Sequence, residues 1–139
     1  MTAKTLYDKI WDSHLVKDYG QGEALLYIDR HLVQEVSSPQ AFLGLEARGL
    51  PVRRPLAHLA VADHAVPTED RVNLLRGLAA KQLERLEENV AAFDLPYLDM
   101  DHAHHGIVHV IGPELGISLP GATLVSGDSH TSTHGAVGA

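Results

Sequence analysis

Short apolar runs alternate along this chain with helical patterns, and this alternation restricts the fold more than any other feature of the sequence. Residues 25–29 and 55–62 are apolar, β-prone runs, and residues 122–125 form a third. Before the third run lies one apolar stripe at helical spacing, made of Val72, Leu75, Ala79, Leu83, Leu86 and Val90. Strands and helices in alternation favour an α/β fold, a layered sheet with mostly parallel strands and flanking helices.

Capping and turn residues predict the bounds of the first elements. A helix of roughly residues 5–14 precedes a turn at residues 18–23, where two glycines remove the steric penalty on positive φ. The apolar run at 25–29 reads as a buried strand that ends near Val33. A hydroxyl residue before Pro39 starts a second helix, which ends at Gly49.

The later elements are predicted in the same way. Thr68 caps the striped helix, and residues 94–96, which include a proline, end it. Residues 106–115 fit a strand or a helix equally well. Residues 135–139 resemble the first turn of a further helix. A chain that stops inside a helix predicts an incomplete sheet.

Composition excludes several classes of protein. The 139 residues suit about one domain, and a formal net charge of −7 without a basic cluster argues against a nucleic-acid or anionic-membrane partner. No apolar stretch approaches the roughly 20 residues of a membrane span, and no signal peptide is visible, so we expect a cytoplasmic protein. The absence of cysteine excludes disulfides, a thiol nucleophile and a thiolate-held metal cluster built by this chain alone.

Histidine is the one residue type far above ordinary usage, with ten copies. Asp63-His64 follows the second apolar run, and four histidines lie within residues 101–109. The third run is followed by the loop Gly127-Asp128-Ser129-His130-Thr131, with His134 beyond it. Polar residues beyond the carboxyl ends of parallel strands line the ligand crevice of an open α/β sheet, so these groups are the candidate site.

Each Asp–His group has a chemical and a structural interpretation. A carboxylate beside an imidazole fixes one tautomer and raises its basicity, which suits a proton donor or acceptor near neutral pH. The alternative for Asp63-His64 is a helix-capping carboxylate beside a solvent-facing ring. The loop 128–130 can offer backbone N–H groups to an anionic oxygen while His130 moves a proton, or it can form a simple turn before a helix. No nucleotide-binding glycine motif is present.

A small His-rich metal-binding protein is a competing class. Neutral imidazoles are common ligands of transition metals, and three lie close together at His102, His104 and His105. Their spacing matches no standard zinc signature, however, so a solvated loop is the simpler interpretation. His14, His31 and His58 are expected to have no chemical role.

Several stretches, taken in order, resemble the large subunits of 3-isopropylmalate dehydratases, a branch of the aconitase superfamily. The segments Tyr27-Ile28-Asp29-Arg30-His31-Leu32 and Ser38-Pro39-Gln40-Ala41-Phe42 are specific to that branch. Asp-His and Gly-Asp-Ser-His-Thr are shared more broadly among aconitase-like dehydratases. The resemblance runs over nearly the whole chain and rests on residues 5–12, 26–36, 38–42, 63–64, 106–114 and 127–131.

This resemblance implies a hydro-lyase of leucine biosynthesis that interconverts 2-isopropylmalate and 3-isopropylmalate through an alkene. It implies a [4Fe–4S] cluster with one open iron, a small hydroxy-dicarboxylate substrate and a separate small subunit as partner. By motif, Asp63 and His64 would protonate the departing hydroxyl, and His109 and Asp128 would form a second pair. Two further residues carry over: His130 to the same hydrogen-bond shell, and Ser129 to a substrate carboxylate.

The departures from the family pattern limit what this chain is expected to do. The cluster cysteines of the family lie downstream of these motifs, so we expect no metal ligand and no bound cofactor in this chain. We expect residues 1–139 to be the N-terminal part of an aconitase-like first domain, truncated at its C-terminal end and inactive alone. A dehydratase of the homoaconitate or methylmalate type and a non-catalytic remnant remain alternatives.

Overall fold

The computed structural model describes residues 3–71 and 76–139. Two 3₁₀ turns, Pro55–Ala57 and Thr131–Val137, accompany the regular elements. The helices and strands in chain order are α1 (Leu6–His14), β1 (Leu15–Gly20), β2 (Glu23–Leu26), β3 (Arg30–Val33), α2 (Ser38–Glu46), β4 (His58–Val61), α3 (Gly77–Phe93), β5 (Tyr97–Leu98), α4 (Val108–Glu114) and β6 (Leu124–Ser126).

A parallel sheet of four strands organises the fold, in the order β5-β4-β3-β6. The chain moves outward from β3 through β4 to β5, and then returns to place β6 on the other side of β3. This confirms the predicted α/β sheet with parallel strands. The order in which strands are added to the sheet thus reverses between β3 and β6, although these two strands are parallel. Such a reversal is a switch point, where open α/β sheets form their ligand crevice.

Different helices cover the two faces of the sheet. Neighbouring residues of a strand point to opposite faces, so they lie in different cores. Val33 and Ala60 belong to a core that includes Phe42 of α2 and a row of α3 residues. Leu32 and Val61 lie in the second core, with Val108 and Ile111 of α4. Burial on both faces explains why the central strands read as continuous apolar runs.

The predicted strand at residues 25–29 is wrong in its extent, because the structure divides this run between two sheets. Its first part lies in β2, which pairs antiparallel with β1 as a hairpin closed by the predicted turn. The buried strand β3 begins only at Arg30. The break is at Asp29, whose backbone N–H donates to the carbonyl and hydroxyl of Thr123 instead of joining a strand.

The striped helix is present but begins later than Thr68. Helix α3 starts at Gly77, because Arg76 has an extended backbone and Gly77 takes a positive φ of 64°. Residues 72–75, which include two members of the stripe, lie outside the described residues. The helix ends at Phe93 as predicted, with Asp94 in the left-handed conformation.

The remaining helix predictions are resolved as follows. Helix α1 is confirmed, with the hydroxyl of Thr5 accepting from the N–H of Asp8 and the Asp8 carboxylate accepting in return. The ambiguous segment at 106–115 is helix α4. Residues 135–137 belong to a 3₁₀ turn that begins at Thr131, not to the start of an α-helix. In residues 3–71 and 76–139 no helix is both long and apolar enough to cross a membrane.

Candidate functional site

The candidate site lies beyond the carboxyl ends of β3, β4 and β6, at the switch point of the sheet. Asp63 and His64 follow β4 by two and three residues, and residues 127–130 follow β6 directly. Helix α4 adds His109 from the neighbouring segment. The structure therefore brings all five predicted acid–base residues to one edge of the sheet.

Asp128 is the centre of this arrangement. Its carboxylate contacts His64 Nε2 through Oδ2, and His109 Nε2 lies 2.5 Å from Oδ1. The backbone N–H of His130 donates to the same Oδ1 over 2.6 Å. The Asp128 side chain is 3% exposed. We call Asp63, His64, His109, Asp128 and His130 the Asp128 network.

These hydrogen bonds hold Asp128 in its ionised form. The backbone N–H of His130 is the largest influence, and the His109 and His64 rings add to it, so the pKa of Asp128 falls to about 2. An ionised carboxylate only accepts hydrogen bonds. Both ring nitrogens that face Asp128 therefore carry a proton.

Asp63 has a different environment from Asp128. One of its carboxylate oxygens accepts from the backbone N–H of Val108 over 3.3 Å and lies 3.5 Å from His64 Nδ1. Burial is the main influence on this carboxyl and raises its pKa. The closer carboxylate partner of His64 is thus Asp128, and not the neighbouring Asp63 that the sequence suggests.

The turn that carries Asp63 and His64 is held from β3. Glu35, two residues beyond β3, is fully buried. Its carboxylate accepts from the backbone N–H of Asp63 over 3.0 Å and from the N–H of Ala65. A fully buried carboxylate is costly unless it is hydrogen-bonded, and these two donors fix the direction in which the chain leaves β4.

His130 and Ser129 form the open side of the site. The His130 side chain is 77% exposed, and Ser129 Oγ lies 2.8 Å from its Nδ1. The His64 side chain is 37% exposed. These three side chains are within reach of a small molecule, whereas Asp63, Asp128 and His109 lie behind them.

Two buried residues extend the network, and neither was assigned a role from the sequence. His134 Nε2 lies 3.0 Å from His109 Nδ1, and Ser118 Oγ lies 2.6 Å from His134 Nδ1. Both side chains are almost completely buried. His134 was visible as a histidine four residues after His130, but Ser118 carries no local signal, because only the folding of α4 against the last turn brings it here.

The three neighbouring histidines of the competing metal-site hypothesis do not converge. His105 Nε2 lies 2.6 Å from the carbonyl of Ala62, so its ring is engaged with the sheet. The His102 and His104 rings are 5.6 Å apart, and His102 Nδ1 accepts the N–H of His104. Within the residues that the structure describes, no group of three His, Cys, Asp or Glu side chains could hold a metal ion.

The chain was compared with known proteins. It matches the aconitase family (aconitate hydratase) over residues 8–139. It is 54% identical over 144 aligned positions to the 3-isopropylmalate dehydratase of Rhizopus niveus, an alignment that covers 99% of this chain. The same alignment covers 19% of that relative, so the chain spans about a fifth of its length.

Proposed function

This chain belongs to the aconitase family, and we propose that within a longer protein it supplies the proton-handling edge of a dehydratase that interconverts 2-isopropylmalate and 3-isopropylmalate in leucine biosynthesis. The arrangement around Asp128 is the observation that carries this proposal. The imidazoles of His64 and His109 and a backbone N–H converge on one buried carboxylate, and the side chains of His64 and the adjacent His130 are exposed. The similarity to a 3-isopropylmalate dehydratase supports the choice of substrate.

The dehydration step needs a proton because hydroxide is a poor leaving group. We assign this proton to His64, whose Nε2–H is held by Asp128 while Nδ1 has its nearest described acceptor, Asp63, at a long 3.5 Å. The Nδ1 proton of the His64 imidazolium passes to the substrate hydroxyl as its C–O bond breaks, so that water leaves. Rehydration of the alkene runs the same transfer backwards. The proton on the adjacent carbon goes to a base outside the Asp128 network.

Ser129 and His130 are proposed to contact the substrate directly. The Ser129 hydroxyl and the exposed His130 ring lie on the open side of the site and can both donate to a substrate carboxylate. No Lys or Arg is among the described hydrogen-bond or ion-pair partners of the network. A dicarboxylate needs such cations, so we propose that other parts of the enzyme, including a separate small subunit, provide them.

The cofactor that the family implies in its full-length members is an iron–sulfur cluster, which we propose to be of the [4Fe–4S] type. Such clusters are held by cysteine thiolates. This chain contains no cysteine, so its residues do not fit the role of cluster ligands. The steps assigned to this chain are proton transfer and substrate binding, and none of them is routed through the cluster.

Replacement of Asp128 by Asn in the longer protein that carries this chain tests the proposal. The amide keeps the shape of the side chain but removes the charge that holds the two imidazoles, so we expect the rate of isopropylmalate interconversion to fall by roughly 10²–10⁴-fold. The rate is measured by following alkene and product formation. A panel that includes homoaconitate-type and methylmalate-type substrates separates the members of the family.

Asp101→Asn is the matched control, because Asp101 is an exposed carboxylate in the His-rich loop outside the network. We expect this variant to keep the wild-type rate. Wild-type turnover in Asp128→Asn would show that the loop after β6 only shapes a turn, and the proposal would fail.

A further inference from the structure

A line of hydrogen bonds continues from the Asp128 network into the protein interior and ends at Ser118. It passes from Asp128 Oδ1 to His109, from His109 Nδ1 to His134 Nε2, and from His134 Nδ1 to Ser118 Oγ. Resting on the proposed function, we propose that His134 and Ser118 are positioning residues. They hold His109 in one tautomer, so that His109 acts as a fixed donor to Asp128 and leaves proton transfer to His64.

The direction of every hydrogen bond in this line follows from the charge of Asp128 and from the single, neutral tautomer proposed for His109. Ionised Asp128 accepts, so His109 Nε2 carries the proton, and with one proton on the ring Nδ1 is a lone-pair acceptor. His134 must therefore donate from Nε2, which leaves its Nδ1 as an acceptor for the hydroxyl proton of Ser118. The Asp128 carboxylate thus sets the tautomers of His109 and of the buried His134.

The inner end of the line is closed to water. His134 is 3% exposed and Ser118 is 4% exposed. Burial is the main influence that lowers the pKa of His134, which favours the neutral form of this ring. A buried hydroxyl terminus offers no route by which a proton could enter from solvent. The line therefore orients His109 and does not conduct protons to it.

Backbone contacts with Gly112 fix the positions of Ser118 and His134. The N–H of Ser118 donates to the carbonyl of Gly112 over 2.9 Å, which anchors the serine against α4. A Cβ at position 112 would lie 2.8 Å from His134 Cε1 and 2.9 Å from Ser118 Oγ. Only a glycine in α4 leaves room for both side chains to meet.

Other charged groups face His109 from the surrounding elements. Asp63 and His64 approach from the turn after β4, and Asp128 and His130 from the loop after β6. His109 Nδ1, however, has His134 as its hydrogen-bond partner among the described residues. The tautomer of His109 therefore reports on His134 directly.

Two variants of His134 distinguish hydrogen-bond donation to His109 from simple packing. His134→Phe keeps a planar ring but removes the donor to His109, whereas His134→Gln keeps an N–H near the position of Nε2. We expect His134→Phe to lower kcat for isopropylmalate by roughly 10–100-fold through misplacement of His109, with little change in KM. We expect His134→Gln to recover most of that loss.

Ser118→Ala has a matched control in Ser38→Ala, because Ser38 is also buried but its hydroxyl has no hydrogen-bond partner among the described residues. We expect Ser118→Ala to lower kcat and Ser38→Ala to leave it unchanged. The proposal is overturned if His134→Gln is no better than His134→Phe, or if the loss appears in KM alone.

Nuclear magnetic resonance of the longer protein, labelled with ¹⁵N-histidine, tests the tautomers without any assay of activity. Long-range ¹H–¹⁵N correlation in the wild type should show His109 and His134 both as Nε2–H tautomers, and His134→Phe should mix the tautomers of His109. A wild-type His134 in the Nδ1–H form would overturn the inference even if every variant folds poorly. If the wild type fails to turn over isopropylmalate, the proposed function fails while these spectra still decide the positioning role.

Discussion

Within residues 3–71 and 76–139, two pairs of imidazoles bring their ring nitrogens within 3.0 Å of each other, one pair at each end of the parallel sheet. His31 is the second residue of β3 and His58 is the first residue of β4, with 3.0 Å between their Nδ1 atoms and 5.1 Å between ring centroids. His109 and His134 lie at the carboxyl end, with 3.0 Å between ring nitrogens and 5.2 Å between centroids. The two contacts have nearly the same dimensions, so geometry alone does not distinguish a functional pair.

The surroundings of the two pairs differ in charge. His109 is held by the ionised carboxylate of Asp128, whereas Arg54 is the charged neighbour that acts on His58. Burial lowers the pKa of His31 to about 4, with the His58 ring adding to the effect. A carboxylate partner, rather than the contact between two rings, therefore fixes the orientation of an imidazole.

The pH dependence of stability should reveal the buried His31, and this is the largest effect expected on folding. His31 binds a proton at pH 6.5 when unfolded but near pH 4 when folded, so the unfolded state takes up more protons between these values. Acidification through that window should cost up to roughly 3 kcal/mol of unfolding free energy. His31→Phe should remove this loss, as measured by denaturant unfolding at several pH values.

Asp128 should affect the stability of the fold in a lower and separate pH range. Its pKa falls from 3.8 to about 2 on folding, so its stabilisation is present above pH 3.8 and is lost as the pH falls through 2. Asp128→Asn should lower the free energy of unfolding above pH 3.8 and should remove the acid-induced loss between pH 3.8 and 2. If His31→Phe leaves the profile between pH 6.5 and 4 unchanged, the contrast between the two pairs is wrong.

Gly112→Ala tests how closely the surroundings of the His109–His134 pair are packed. A Cβ at Gly112 would crowd His134 and Ser118, so we expect a loss of about 1–3 kcal/mol, measured by chemical denaturation. Gly44→Ala is the matched control, because Gly44 is also helical but has open space where its Cβ would lie. Alanine there should stabilise the protein by roughly 0.5–1 kcal/mol. Equal effects at the two glycines would contradict the close packing.

Arg54→Gln is expected to have the smallest effect. Burial is the main reason that the pKa of His58 is low, and the Arg54 guanidinium lowers it further. Removal of the positive charge should therefore raise the pKa of His58, which a histidine titration followed by nuclear magnetic resonance can measure. Arg48→Gln, which alters an arginine bonded to the carbonyl of Gly44, serves as the control. An unchanged His58 would show that the charge difference between the pairs has no effect there.

The sequence predicted the sheet and the position of the candidate site because both depend on local patterns. Apolar runs marked the central strands, and Asp63-His64 and the loop at 127–131 follow strands β4 and β6 as expected. The rule that parallel strands place their carboxyl ends at one edge then brought these groups together. The acid–base roles of these residues stay a prediction.

Other features depend on long-range contacts that no local pattern encodes. The β1–β2 hairpin was missed because every residue of β1 is exposed, so its residues show no alternation of buried and exposed positions. The pairing of His64 with Asp128 joins residues 64 positions apart, and this contact displaced the local pairing with Asp63. Ser118 was invisible for the same reason.

The close approach of Gly127 to Ser37 has a practical consequence for redesign. A Cβ at position 127 would lie 2.2 Å from the Ser37 hydroxyl, and the Gln34 amide donates both to that hydroxyl and to the Gly127 carbonyl. A randomised library across this loop should return glycine at one site whatever activity is selected. A loop transplanted from another enzyme would need Gln34 and Ser37 to travel with it.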